Sequence, residues 1–259
     1  MIQLKVKGKN RRKLFFVLLF GTFIYPMQGQ SDVKPELSNS SKSMLINDST
    51  VTDIDGNIYH TVTIGTQTWM AENLKTTHYR NGDAISCVLT DSLWEGQEVG
   101  AYCYYNNDKN NIPKYGMLYN FNSVQDTRNI APVGYRVATR EDWEELNLYL
   151  NLSGLSGTDT VDYISKLIAS KEYWKESSVS YAVGNQLNDN NKSGFNAMPA
   201  GYRHNSGFYK RSEIVGEWWC FSTSTEMLVI SKTIRYDSPQ FGTSLGFRMR
   251  GVSVRCVKD

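Results

Sequence analysis

The stretch VTIGTQTWMAENLKTTHY, Val62–Tyr79, decides the fold because it joins a regular strand to an irregular aromatic segment. The Asp55-Gly56 pair before it predicts a tight turn that opens a hairpin. Two sets of side chains then alternate with the period of a half-buried strand: Ile58, His60, Val62 and Ile64 against Tyr59, Thr61 and Thr63. After the Gly65-Thr66 turn, residues 69–75 follow neither a strand nor a helical period.

The tryptophan of this irregular segment is predicted to pack in the core. A large aromatic side chain placed after a strand, with Met70 and Leu74 beside it, can fill one end of a hydrophobic core. Glu72 and Asn73 are then expected to cap neighbouring backbone groups. A tryptophan that contacts a ligand is the alternative interpretation of Trp69.

Two helices are predicted further along the chain. In the first, Thr139 is followed three residues later by Asp142 in a capping pattern, and Gly154 ends the run. Its inward face consists of Trp143, Leu146 and Leu150. The second helix is expected from Val161 to about Lys171. Its inward residues are Val161, Ile164, Leu167 and Ile168.

The rest of the chain is predicted to form short strands and long ordered polar loops. Residues 80–125 are short aromatic pieces divided by polar turns, and no helical period lasts for three turns there. The segment LGFRMRGVSVRCVKD, residues 245–259, alternates like a closing pair of strands. Few helices and many short strands predict an α+β domain.

Composition divides the chain into three parts. Residues 1–29 have a cationic start and then twelve apolar residues, Leu14–Tyr25, which is the pattern of a secretory signal peptide. A retained membrane anchor is the alternative, although a bilayer span needs roughly 20 apolar residues. Residues 30–50 are rich in Ser, Asn and Asp and are expected to be a flexible tether. Residues 51–259 are long enough for one domain with its own core.

The predicted mature protein is mildly acidic. Of the 28 Lys and Arg residues, six lie in residues 1–29, which hold none of the 26 Asp and Glu residues. Without the leader, 22 basic residues face 26 acidic ones, a net charge of −4. This charge, with its basic residues scattered, disfavours nucleic acid and anionic lipid as partners.

The expected location is outside the cytoplasm. After cleavage of the leader we predict no membrane span, and a final location in the periplasm, on the outer surface or outside the cell. No cysteine precedes Cys87, so the chain lacks the acylated cysteine of a bacterial lipoprotein.

An even number of cysteines in an exported chain suggests disulfide bonds. Three pairings of the four cysteines are possible, and the spacing favours Cys87 with Cys103 and Cys220 with Cys256. Free buried thiols are the alternative. Zinc binding is disfavoured because no two cysteines have the short spacing of a zinc site.

Two polar segments with aromatic residues are candidate glycan-binding sites, because an aromatic plane flanked by amides and carboxylates suits a sugar ring. One supplies Tyr104, Asn106, Asn107 and Asp108, and the other supplies Tyr202 and Arg203. Trp218 is a further candidate. Because adjacent side chains of a strand face opposite sides, we expect one residue of the Trp218-Trp219 pair in the core and the other nearer the surface. Purely structural loops have the same composition and are the alternative.

Calcium is the one cofactor that the sequence suggests. The segment NDNNKSG, Asn188–Gly194, groups the oxygen ligands that calcium prefers, with Asp189, Asn190 and Asn191 as candidates. It lacks the order of an EF-hand loop, and an ordinary polar turn is the alternative. Asp53 and Asp55 are interpreted as turn-forming residues.

No catalytic motif is recognised. The three histidines, His60, His78 and His204, do not belong to a metal-binding pattern. A nucleophile elbow and a phosphate-binding glycine loop are also missing from the sequence. We therefore do not expect an enzyme.

Seven sequence blocks, in order, resemble the Fibrobacter succinogenes major paralogous domain, found on exported proteins of the Bacteroidetes and Fibrobacter groups. The resemblance covers Val51–Asp259 and rests on VTDIDGNIYHTVTIGTQTWMAENLKTTHYRNGDAI, AYCYYNND, YGMLYNFNSV, PVGYRVATREDWEEL, GFNAMPAGYRHNSGFY, EWWCFSTST and VSVRCVKD. The family has no settled activity. Its block order is distantly similar to the sulfatase-modifying-factor branch of the C-type-lectin-like fold. That similarity implies paired N- and C-terminal strands, with long loops that carry the site.

The chain departs from the family pattern at Ala131, where the family usually has a cysteine between Ile and Pro. If that cysteine normally pairs with the one in VRCVKD, the resemblance implies that Cys256 has lost its partner. Cys220, where the family usually has Ser, is then a replacement, and a free Cys256 is the alternative.

Three functions are consistent with these features. The first is a secreted or cell-surface non-enzymatic binding module that recognises glycans or a cell-envelope partner. The second is a structural or adhesive envelope subunit that acts by protein–protein packing. The third is an oxidase of the formylglycine-generating type, which the resemblance suggests through a C-terminal pair of copper-binding cysteines. Cys220 and Cys256 are the candidates for that pair, although their blocks do not match the enzyme motif.

Overall fold

A computed structural model describes residues 49–155 and 163–259 of the protein. Within them the chain forms the short strands expected from the sequence. The predicted leader, nearly all of the predicted tether and Val161 lie outside these residues. Strands β1–β13 are Thr50–Thr52, Ile58–Ile64, Gln67–Met70, Ser86–Cys87, Ala101–Cys103, Leu118–Tyr119, Tyr135–Val137, Tyr202–Arg203, Tyr209–Lys210, Val215–Trp219, Leu228–Arg235, Gly242–Phe247 and Cys256–Lys258. Helices α1–α5 are Asp91–Glu95, Ile112–Tyr115, Phe121–Gln125, Arg140–Leu152 and Ile164–Ile168. The protein is an α+β protein whose strands pair mainly antiparallel.

The central sheet joins strands from both ends of the described chain. Its order is β1-β2-β3-β13-β7, and Val257 of β13 lies opposite Trp69 of β3. Alternate residues of these strands point to opposite faces. One face packs with α4 and α5 around Trp69 and Trp143. The other face packs around Met70 and Cys256, so both faces of this sheet are buried.

Trp69 is fully buried, as predicted, but it lies within β3 and not after a strand. Its ring centroid is 4.8 Å from that of Trp143 and 5.4 Å from that of Phe195. The predicted capping by Glu72 and Asn73 is also confirmed. Glu72 accepts the backbone N–H of His60 at 2.9 Å, and Asn73 donates to the Tyr115 carbonyl at 2.9 Å. The irregular stretch is therefore a packing element.

Helix α4 follows the predicted pattern. Thr139 and Asp142 form a reciprocal capping box, and the inward residues Trp143, Leu146 and Leu150 are buried. Helix α5 is shorter than predicted. It ends at Ile168 because Ala169 is extended and forms a β-bridge with Ala197.

The second sheet, in the order β10-β11-β12, corrects the prediction for the two tryptophans. Trp218 and Trp219 are both fully buried. They do point to opposite sides of β10, but Trp218 joins the cluster of Trp143 and Trp219 joins that of Met70. Because β10 has a packed core on each side, neither tryptophan reaches the surface.

Two small sheets and a third apolar cluster complete the described structure. The sheets are β4-β5-β6 and β8-β9. The cluster surrounds Trp94, Cys103 and Tyr105. All described residues belong to one compact unit. Across residues 49–155 and 163–259, no helix has the length and apolar character that a membrane crossing requires.

Candidate functional site

The structure brings the two predicted glycan-binding segments together around Arg203. The guanidinium lies between the rings of Trp94 and Tyr209, 4.5 Å and 5.0 Å from their centroids. It donates to the carbonyl of Gly207 at 2.6 Å, to those of Val88 and Leu89 at 2.5 and 2.7 Å, and to the Asp91 carboxylate at 2.8 Å. The Arg203 side chain is fully buried. Arg203 thus ties the β8–β9 hairpin to the loop before α1 and does not reach a ligand, which corrects its predicted role.

Three further candidates also have structural roles. Trp218 is fully buried and donates its indole N–H to Asn73 at 2.8 Å, so its predicted ligand contact is wrong. Tyr104 is buried as well. Tyr202 is half-buried, with the Arg250 guanidinium 3.9 Å from its ring centroid. The aromatic planes that suggested a sugar site are therefore mostly covered by the protein itself.

The three polar residues that follow Tyr104 and Tyr105 are exposed. Asn106 and Asn107 have φ angles of 54° and 56°, a left-handed conformation that asparagine tolerates. The Asn107 amide accepts the Tyr209 hydroxyl at 2.5 Å and donates to the Leu89 carbonyl at 3.0 Å. Asp108 accepts the backbone N–H of Asn110 at 3.0 Å. These contacts fix the loop, and ligand contact by its residues stays a prediction.

One side-chain oxygen of the predicted calcium segment, that of Asn190, binds an ammonium group. The side chain of Lys166, which is buried, donates to the side-chain oxygen of Asn190 at 2.9 Å. It also donates to the carbonyls of Asn185 and Gln186, the latter at 3.0 Å. We call this arrangement the lysine cage. Asn190, one of the oxygen ligands suggested for calcium, therefore already binds a cation of the chain, and calcium binding by Asp189 and Asn191 stays a prediction.

The two calcium candidates of this segment have separate roles. The side-chain oxygen of Asn191 accepts the backbone N–H of Asn196 at 2.8 Å and closes the loop. Asp189 is exposed, and its charge opposes the effect of burial on Lys166. Burial dominates and lowers the pKa of Lys166 from its ordinary value.

Asp189 lines a cavity beside the lysine cage. The cavity has a volume of about 360 Å³. It is lined by Tyr163, Lys166, Leu167, Ser180, Tyr181, Asn185, Gln186, Asp189 and Lys192. We call it the tyrosine cavity, because the rings of Tyr163 and Tyr181 stack there with centroids 5.3 Å apart and planes inclined by 17°. Tyr163 is buried, whereas Tyr181 is 45% exposed.

The tyrosine cavity combines the groups that sugar recognition needs. An exposed tyrosine ring offers an apolar face, and Gln186, Asp189, Lys192 and Ser180 offer hydrogen-bond donors and acceptors. Its volume lies in the range of small-molecule sites, roughly 300–1,000 Å³. The lysine cage forms one wall and fixes the backbone of the amide-rich loop.

Two other cavities lack an aromatic surface. They have volumes of about 410 Å³ and 400 Å³ and share Glu98 and Asn122 in their linings. Arg248 lines the second of them and donates to Asn122 at 2.9 Å. Their linings contain no Tyr, Trp, Phe or His side chain. The tyrosine cavity is therefore the better candidate.

Sequence reasoning found only Asp189 among the residues of the tyrosine cavity. The other lining residues come from α5 and from the loop between residues 180 and 192, and tertiary packing brings the two together. A usable signal was present: Tyr181 lies just before the amide-rich run Asn185–Asn191. The calcium prediction for Asn188–Gly194 uses the oxygen ligands alone, without this aromatic residue.

All four cysteines are free thiols, so the two predicted disulfides are not formed. Cys87 pairs with Tyr102 across β4 and β5, and paired residues share a face of the sheet. Cys103, the next residue after Tyr102, therefore points to the opposite face. Cys220 and Cys256 likewise belong to apolar clusters on opposite faces of the central sheet.

The described residues show no cluster of side chains that could hold a metal ion. Within residues 49–155 and 163–259, no three His, Cys, Asp or Glu side chains lie together as metal ligands would. The Asp55 carboxylate accepts the Nδ1–H of His78 at 2.5 Å and the hydroxyl of Thr76 at 3.0 Å. His204 stacks on Phe208 with centroids 4.6 Å apart, and burial lowers its pKa. Each histidine is thus part of a different local structure.

Comparison with known proteins gives one match. The family model described as the Fibrobacter succinogenes major domain matches residues 62–258 of the chain. No curated protein and no solved structure matches the chain.

Proposed function

This chain belongs to the Fibrobacter succinogenes major domain family, and on that premise we propose that it is an exported, non-catalytic module that binds glycans in the tyrosine cavity. The observation that carries the proposal is the exposed ring of Tyr181 beside Gln186, Asp189 and Lys192 in a cavity of about 360 Å³. A pyranose ring has an apolar face and a hydroxylated rim. The first packs on an aromatic plane, and the second exchanges hydrogen bonds with amides and carboxylates.

Export is part of the proposal. The cationic and apolar pattern of residues 1–29 supports cleavage by a secretory peptidase. The acidic charge of the remaining chain supports a partner other than nucleic acid or anionic lipid. We place the protein in the periplasm, on the outer surface or in the medium, where glycans are present.

The finer fold assignment is also a proposal. The pairing of β13 with β3, and the long loops that build the tyrosine cavity, support a C-type-lectin-like architecture of the sulfatase-modifying-factor branch. In that architecture, paired N- and C-terminal strands hold the loops that recognise the ligand.

The geometry of the cysteines argues against the oxidase hypothesis. Such chemistry needs two thiolates side by side, whereas Cys220 and Cys256 lie in clusters on opposite faces of the central sheet. Burial raises the pKa of each thiol to about 12, so both are protonated at neutral pH.

A glycan array tests the proposal, followed by calorimetry on each glycan that binds. The purified protein is expected to bind with and without calcium, because Lys166 fills the oxygen cage. Tyr181→Ala is expected to weaken binding about tenfold, the effect of losing an aromatic contact of roughly 1.4 kcal/mol.

Tyr173→Ala is the matched control, since Tyr173 is 43% exposed and does not line the cavity. This variant should bind as tightly as the unchanged protein. The proposal fails if no glycan binds, or if the two variants behave alike.

A further inference from the structure

Strand β12, Gly242–Phe247, is an outer strand of the second sheet. It pairs with β11 along one edge, and no strand of the described chain pairs with its other edge. Apart from the Phe247 carbonyl, which accepts the backbone N–H of Arg250 at 2.9 Å, the backbone N–H and C=O groups on that edge are available to another strand.

The outer strand is also unusually apolar for an edge. Leu245 is 64% exposed and Phe247 is 44% exposed. They lie opposite Ile230 and Leu228 of β11, so an apolar strip runs across both strands. Edge strands of monomeric proteins usually carry a charge, a proline or a bulge that blocks further pairing. Residues 242–247, GTSLGF, contain no charged residue and no proline, and their register with β11 is continuous.

Another outer strand of the protein carries a charged residue, one of the usual features that block pairing with a further strand. Strand β7 lies at the end of the central sheet and carries Arg136, whose guanidinium binds Asp142 at 2.7 Å. The contrast indicates that the edge of β12 is built for a partner.

We propose that β12 pairs antiparallel with β12 of a second copy of this chain, about a two-fold axis through Leu245. In this register Leu245 meets Leu245 of the other copy, and Phe247 meets Thr243. Residues opposite each other in an antiparallel pair share a face, with Cβ atoms about 5 Å apart. The apolar strip then continues from Ile230 through both leucines to Ile230 of the other copy.

The arrangement of charge supports a second copy as the occupant. Lys232, opposite Thr243, is a basic residue on this face; it donates to Thr243 at 3.1 Å and lies 5.4 Å from the ring centroid of Phe241. The two-fold axis places the lysines of the two copies at opposite ends of the apolar strip. The two lysines therefore do not face each other. A two-fold interface uses the same surface of both copies, so that surface must be complementary to itself, and this arrangement meets that condition.

Sedimentation equilibrium over a dilution series tests the association. The purified protein is expected to dimerise, and Leu245→Lys is expected to weaken dimerisation about tenfold or more, because two lysines then meet on the axis. Leu93→Lys is the matched control, since Leu93 is also a leucine that is 64% exposed. A monomer at every concentration, or equal effects of the two substitutions, overturns the proposal.

Cross-linking tests the register independently. In a Cys87→Ser background, Leu245→Cys should form dimers with a short thiol-specific linker, whereas Leu228→Cys on β11 should not. Dimers that cross-link equally through both positions contradict the register. A protein that stays monomeric but takes up an added GTSLGF peptide contradicts the two-fold pairing as well.

The dimer does not depend on the proposed glycan binding. Tyr181→Ala should leave dimerisation unchanged, and Leu245→Lys should leave glycan affinity unchanged. Failure of one proposal is thus distinguishable from failure of the other.

Discussion

Asn73 joins three parts of the core through one buried amide. Its side-chain oxygen accepts the indole N–H of Trp218 at 2.8 Å and the guanidinium of Arg255 at 3.0 Å. Its nitrogen donates to the Tyr115 carbonyl at 2.9 Å. Asparagine suits this position because one planar group provides acceptors and donors together.

Asn73→Ala is expected to lower the free energy of unfolding by about 3 kcal/mol or more. The substitution leaves the buried indole N–H of Trp218 and the buried Tyr115 carbonyl without a partner, and it removes the shorter of two hydrogen bonds from Arg255 Nη2. Each unpaired buried group costs about 1–3 kcal/mol. Urea denaturation measures the difference. Asn110→Ala, at an exposed position, is the control and should change the stability by less than about 0.5 kcal/mol. Equal losses would show that Asn73 has no special role.

Arg255 is a buried cation that forms no salt bridge with a carboxylate of the described residues. It donates to the carbonyls of Met70 and Phe195 at 2.8 and 2.7 Å, and it lies 4.4 Å from the ring centroid of Phe195. Burial lowers its pKa to about 9, so the guanidinium remains charged at neutral pH. Backbone oxygens and the side-chain oxygen of Asn73 bind the guanidinium, and the charge of Glu72 partly opposes the effect of burial.

At the scale of elements, the capping box of α4 connects the helix to the central sheet. The Asp142 carboxylate accepts the backbone N–H of Thr139 at 2.7 Å and the guanidinium of Arg136, a residue of β7, at 2.7 Å. Burial by itself raises the pKa of Asp142, but the hydrogen bonds from Arg136 and Thr139 outweigh it and hold the pKa below the ordinary 3.8.

This lowered pKa predicts an acid-sensitive contribution to stability. Because the folded state holds the proton less tightly than the unfolded state, the contribution is complete above pH 3.8 and is lost as the pH falls through the lower folded value. Asp142→Asn should therefore lower the stability at pH 7 and flatten its dependence on acid between roughly pH 5 and 2. Thermal melts across that range measure both effects. Parallel curves for the two proteins would contradict the assignment.

The lysine cage predicts that the loop 185–191 needs no metal. Lys166→Met leaves the oxygens of Asn185 and Asn190 without a donor, whereas the Gln186 carbonyl still accepts the backbone N–H of Asp189 at 2.9 Å. The substitution should lower the free energy of unfolding by about 3 kcal/mol. Lys192→Met, at an exposed position of the same cavity, should cost less than about 0.5 kcal/mol. A chelator should not change the melting temperature of the protein without substitutions. A lower melting temperature in the presence of the chelator would show that the loop binds a metal ion.

Local patterns were predictable from the sequence, and contacts across the fold were not. The capping box of α4 and its inward residues lie within a dozen positions, so their period was visible. The lysine cage joins Lys166 to oxygens 19 to 24 positions away, and only the packing of α5 against the loop brings them together. The tyrosine cavity was missed for the same reason.

At the scale of the whole molecule, the layers explain which expectations failed. Sequence reasoning assumed that a strand buries one face, as for Trp218 and Trp219. Because the central sheet and β10 are covered on both sides, adjacent residues are both buried, and Cys220 and Cys256 belong to different clusters. Neither the number of layers nor the face of each cysteine follows from spacing along the chain.

The reactivity of the thiols tests this layered arrangement. Cys87 is exposed, whereas the other three cysteines are buried. Burial raises the pKa of Cys103 to about 11 and those of Cys220 and Cys256 to about 12. A colorimetric thiol reagent should therefore modify one cysteine rapidly in the native protein and all four after denaturation without a reductant. Two or more missing thiols after denaturation would reveal a disulfide bond.

The position of β13 has a consequence for the order of events in the cell. This strand lies between β3 and β7, so the middle of the central sheet stays open until Cys256–Lys258 has been synthesised. Any folding species in which these three residues are not yet in place therefore has two separate open edges, those of β3 and β7, instead of one continuous sheet.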